Sequence, residues 1–111
     1  MVTAPDSAAL LDAWERGLKL PLPQRALLVL AASHPDASAG ELAALPLGAR
    51  DALLFDVREQ MFGAELATVT TCPHCDDALE AGFLLTDIRA PGAHDIAGEH
   101  KLMVAGHRIR F

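Results

Sequence analysis

The order of apolar and polar residues divides the chain near residue 65, with helical spacing before it and strand-like alternation after it. Leu10, Leu11, Trp14 and Leu18 recur at helical spacing behind Asp6 or Ser7, either of which can cap a first helix. Gly17 weakens the end of that helix. The stretch Leu20-Pro21-Leu22-Pro23 is a stiff connector, with Pro23 suited to the first turn of the next helix. That second helix, over about 23–33, is apolar nearly all round, which predicts a central place in its domain. His34-Pro35 ends it, because the residue before a proline avoids the α region.

Ser38 and Glu41 have capping-box spacing and predict a short third helix reaching about Ala44. Leu45-Pro46-Leu47-Gly48 is a tight corner. A fourth helix is predicted over about 49–62, with Leu53, Leu54, Val57, Met61 and Phe62 as its apolar stripe and Gly63 where a C-terminal cap belongs. Arg50, Asp51, Arg58 and Glu59 read as its solvated face.

From Leu66 the pattern is β. Leu66 to Thr71 alternates, Cys72-Pro73-His74-Cys75 makes a turn, and 79–85 is the returning strand. The polar stretch 86–99 reads as a loop. Residues 100–104 and 107–111 then flank Ala105-Gly106, a two-residue hairpin turn. The expectation is therefore α+β: one domain over 1–111, with an N-terminal bundle of about four helices (1–64). A small antiparallel sheet with a zinc-ribbon-like CxxC turn follows (65–111).

Composition narrows the function classes. The chain has 111 residues, half of them hydrophobic but only 5% aromatic, which suffices for one modest core. The formal net charge is -6, and the nearest thing to a basic stripe is Arg108 and Arg110 at the C-terminus, so phosphate-neutralising nucleic-acid binding is not expected. The longest apolar run, 26–32, is too short to span a bilayer. Residues 2–6 carry neither a basic nor an apolar leader region, which predicts a cytoplasmic protein. Ser7, Ser33 and Ser38 lack a nucleophile-elbow context, carboxylates are scattered, and the glycines form no phosphate-binding loop. Nothing in the sequence supports a hydrolase or nucleotide-dependent enzyme.

The string Trp14-Glu15-Arg16-Gly17-Leu18, then Arg25-Ala26-Leu27 leading an Ala/Leu helix, is followed by Leu45-Pro46-Leu47-Gly48-Ala49-Arg50-Asp51-Ala52-Leu53-Leu54. Arg58-Glu59, Phe62-Gly63, and Cys72-Pro73-x-Cys75 with Leu79-Glu80 complete the order. In this arrangement the chain resembles the baseplate hub assembly family of T-even-type phages, which also occurs in phage-derived contractile injection systems. The resemblance runs from about Leu10 to Phe111. Members of that family usually continue past the final hairpin into a further helical region, whereas this sequence ends at Arg110-Phe111. The resemblance implies a non-enzymatic chaperone or minor component of a baseplate, assembled in the cytoplasm and incorporated in a phage-like particle. Its partners would be baseplate or tail proteins.

Three readings of Cys72-Pro73-His74-Cys75 stay open. A CxxC turn between two strands points both thiolates at one zinc ion, but zinc takes four ligands and the chain has two cysteines. His107, beside a second hairpin turn, is the most attractive further ligand; His94, His100, Asp76 and Asp77 are others. Cys-Pro-His-Cys is also the active-site tetrapeptide of periplasmic thiol oxidases, where a helix N-terminus lowers the first thiol's pKa and the fold is thioredoxin-like. The third reading is a knuckle that keeps its shape without metal, holding a disulfide or two free thiols.

Trp14 suits a partner hot spot, although on an amphipathic helix it reads as core. For protein contacts, strand edges after Leu66 are the expected surface, including self-association through them. The terminal strand of His107, Arg108, Ile109, Arg110 and Phe111 is the first candidate.

Overall fold

A computed structural model describes residues 4–91 and 98–111, and it is α+β. Helix α1 spans Ser7–Gly17, and Asp6 caps it by accepting a hydrogen bond from the Ala9 N–H at 2.7 Å. Helix α2 (Leu22–Ser33) begins with a proline in its first turn and needs no side-chain cap there. The short α3 (Ala39–Ala44) is opened by a complete capping box between Ser38 and Glu41. Helix α4 (Leu47–Phe62) starts two residues earlier than the pattern predicts, directly after Pro46. It ends at Gly63, whose φ of +83° suits glycine and whose N–H donates to the Glu59 carbonyl.

Helix α2 packs against α1, α3 and α4, which is the central place its all-round apolar pattern predicts. The core gathers around Leu30, Leu42 and Val57, with Leu27, Leu45, Leu53 and Met61 among the partly buried side chains against it. Arginines fasten the connectors between helices. Arg25 donates to the carbonyls of Leu18 and Leu20, and Arg50 to those of Ala43 and Leu45. Both therefore satisfy carbonyls that a helix end or a proline-containing corner leaves without an intrahelical partner. Arg50 is accordingly a half-buried tether rather than part of a freely solvated face.

Two features of the helical half differ from expectation. Trp14 is 64% exposed, because Ala13 and Gly17 carry the buried face of α1 and point it at α2. Gly17 faces α2 with room for a β-carbon, which would lie 3.5 Å from Arg25 Cγ and 3.7 Å from Leu28 Cδ1, both ordinary contact distances. Phe62, placed by its spacing on the apolar stripe of α4, is 70% exposed at the helix end, with the Arg58 guanidinium over its ring.

The β half forms two separate two-stranded antiparallel sheets rather than one. Strands β1 (Glu65–Thr71) and β2 (Ala78–Leu84) pair in the register Thr71↔Ala78 to Glu65↔Leu84. Leu85 continues the ladder by donating to the Ala64 carbonyl, then enters a one-turn helix α5 (Leu85–Ile88), where a loop is predicted. Asp87 accepts from the Leu84 N–H and so caps this turn. Strands β3 (Lys101–Val104) and β4 (His107–Arg110) make the second hairpin. Its turn residues Ala105 and Gly106 have φ of +48° and +80°, the pair of positive values that a type I′ turn requires. His94, one of the further zinc-ligand candidates, lies outside the described residues.

Candidate functional site

Two surfaces in the β half carry the candidate chemistry: the cysteine turn of the first hairpin and the exposed second hairpin. The first is set on α4 by two arginines. Arg58 donates to the carbonyls of Gly63 and Glu65, fixing where β1 leaves the helix. Arg89, just past α5, pairs with Asp56 at 2.6 Å, lies 3.6 Å from Glu59, and sits over the Phe55 ring. Both ends of the first hairpin are thereby tied to one helix, and its turn points away from those anchors.

At the turn, the Cys72 N–H donates to the Asp77 carbonyl at 2.8 Å, extending the strand ladder by one pair. The Asp76 N–H donates to the Cys72 carbonyl at 3.0 Å, and Asp76 takes a left-handed φ of +60°. Asparagine, aspartate and glycine tolerate that conformation best. Hydrogen bonding by the backbone of His74 and then Cys75, and by the Cys75 thiol, holds the Cys72 pKa below the ordinary thiol value. The Cys75 sulfur lies 3.5 Å from an Asp77 carboxylate oxygen. Neither cysteine is in a disulfide; Cys72 is half-buried and Cys75 exposed.

This CxxC therefore joins two antiparallel strands and does not begin a helix. The groups that favour the Cys72 thiolate belong to the turn itself. Among the described residues, no three His, Cys, Asp or Glu side chains gather as a metal site, so Cys72 and Cys75 stand as a pair.

The second hairpin is exposed along its whole length, yet its two faces differ. Residues paired across the ladder share a face. Leu102 with Ile109 and Val104 with His107 lie on one side, continued by His100 and Phe111, which exchange both backbone hydrogen bonds and stack their rings at 5.7 Å. Lys101 with Arg110 and Met103 with Arg108 lie on the other, where Lys101 and Arg110 share Glu99. One face is thus mainly apolar and the other mainly basic. Of the five residues expected to meet a partner, His107, Ile109 and Phe111 project to the apolar face and Arg108 and Arg110 to the basic one. Period-two alternation over 100–111 already holds this division.

The first hairpin has the opposite charge, with Glu65, Asp76, Asp77 and Glu80 and no lysine or arginine between residues 65 and 84. A further apolar groove of about 310 Å³ runs between α1 and α2, lined by Leu10, Trp14, Leu18 and Val29 among others. Among the described residues no helix is long and apolar enough to cross a membrane.

These features define the chain as an α+β protein with an exposed cysteine turn and an amphipathic terminal hairpin. No protein-family model matches it, and no curated protein or solved structure does either.

Proposed function

We propose that this protein is a non-enzymatic assembly chaperone or minor structural component of a phage tail or contractile injection system baseplate, acting by protein–protein contact. The observation that carries the reading is the second hairpin, whose apolar face of Leu102, Val104, Ile109 and Phe111 is open to solvent. An isolated two-stranded hairpin is marginal in water, and an apolar face of this kind gains stability when another surface covers it. Both strands also keep a free edge to which a partner strand can add. The resemblance of residues 10–111 to baseplate hub assembly proteins supplies the class of partner, a baseplate or tail protein met in the cytoplasm during assembly. Lys101, Arg108 and Arg110 on the opposite face favour a partner with acidic residues beside its apolar contact.

Affinity capture from cells assembling such particles tests this. The full chain is expected to retain tail or baseplate proteins, and removal of residues 107–111 or the substitution Leu102→Asp to abolish retention. Unchanged capture by both variants, or retention of no tail component, would overturn the proposal. The absence of catalysis is checked with an insulin-reduction assay, in which the chain and its Cys72→Ser variant are expected to give the same background rate.

A further inference from the structure

We propose that Cys72 and Cys75 of two copies of this chain close one tetrahedral zinc site, joining the molecules tip to tip through their first hairpins. This inference goes beyond the partner-contact reading of the second hairpin and does not rest on it. The turn is built as a half-site. The Cys72–Asp77 and Asp76–Cys72 backbone hydrogen bonds and the left-handed Asp76 fold residues 72–77 tightly. A seven-residue strand on each side and the arginine anchors at the far end hold the turn in place.

Soft thiolates select zinc among the common divalent ions, and a closed structural site takes four ligands. The sequence holds two cysteines, and the described residues gather no third ligand around them. A second copy carries the same pair in the same turn, and its approach about a two-fold axis through the ion completes a Cys₄ site. The exposure of the tip leaves room for that approach. In the reaction four S–H bonds and the bonds from zinc to its hydrating waters break, four Zn–S bonds form, and the waters and four protons pass to solvent.

The assembly has a distinctive electrostatic signature. A zinc ion with four thiolates is a dianion, and Asp76 and Asp77 of each copy stand beside it. Like charges thus oppose the union of the two tips. Screening, with a Debye length of about 10 Å at 0.1 M salt, relieves that repulsion. Zinc-linked association is therefore strengthened by salt, whereas attraction between opposite charges would be weakened.

The test is a cobalt(II) titration of the reduced 111-residue chain, followed by zinc displacement, with sedimentation equilibrium on the same samples. Expected are saturation at one ion per two chains, the intense charge-transfer and tetrahedral bands of four-thiolate cobalt, and a mass that doubles with metal and returns with chelator. Cys72→Ser or Cys75→Ser should abolish both signals while far-UV circular dichroism keeps its helical intensity. Asp76→Asn, which keeps the left-handed turn and removes a charge, should bind metal and associate more tightly. Saturation at one ion per chain without a change in mass, a spectrum of mixed oxygen or nitrogen ligands, or no metal uptake would each overturn the proposal.

Discussion

Leu30 is fully buried at the meeting point of α2, α3 and α4, and among the described residues no fully buried side chain is larger. Truncating it removes buried apolar surface and leaves a cavity that a small core fills poorly. Leu30→Ala is accordingly expected to cost about 2–5 kcal/mol in urea unfolding. Trp14→Ala, in contrast, should change stability by about 0.5 kcal/mol or less, since most of that side chain faces solvent. Gly17 presents the reverse opportunity. A β-carbon there meets its neighbours at ordinary contact distances within a helix, so Gly17→Ala should stabilise the fold by about 0.5–1 kcal/mol. Leu30 stands out in the sequence because its helix is apolar on every side. Trp14 was not legible in the same way: spacing marks a stripe but does not say which edge of it a neighbour covers. Here the small residues Ala13 and Gly17 carry the buried face and leave the indole outside.

Among the elements, caps and turns were the most legible features, because each rests on local chemistry. Asp6, the Ser38–Glu41 box, Gly63 and Ala105-Gly106 all act where the sequence places them. The box has a consequence for pH. Hydrogen bonds from the Ser38 side chain and then its backbone hold the Glu41 carboxyl below its ordinary pKa. A depressed carboxylate contributes stability that is present above its unfolded value and lost as pH falls through the lower, folded one. The start of α3 is therefore expected to fray in acid, and Glu41→Gln to flatten that pH dependence in amide exchange. At Ala105 an L side chain occupies a left-handed position at some cost, so Ala105→Asn should slow amide exchange across β3 and β4. Helix α5 escaped detection because a single turn carries no periodicity; its signals are Asp87 at a capping position and the buried Leu85. The Arg89–Asp56 pair, 33 residues apart, has no local signature either. Arg89→Ala should cost about 1 kcal/mol or less, since both partners are partly exposed, yet loosen the first hairpin measurably.

For the whole molecule, the α+β class follows from the change of period near residue 65, but the division into two sheets does not. Alternation shows that a segment is a strand and says nothing about which other strand pairs with it. The Cα radius of gyration is 17.6 Å. A close-packed chain of this length has about 13 Å. Leu102, Met103, Ile109 and Phe111 remain in solvent in this open arrangement. The proposed role accordingly rests on a hairpin whose apolar face stays uncovered until a partner meets it. Amide hydrogen exchange on the free chain and on its complex with a captured tail protein tests that most directly. The amides of β3 and β4 should exchange far faster than those of α2 and α4 in the free chain, then slow in the complex. Protection of β3 and β4 equal to that of α2 in the free chain, or unchanged by the partner, would contradict it.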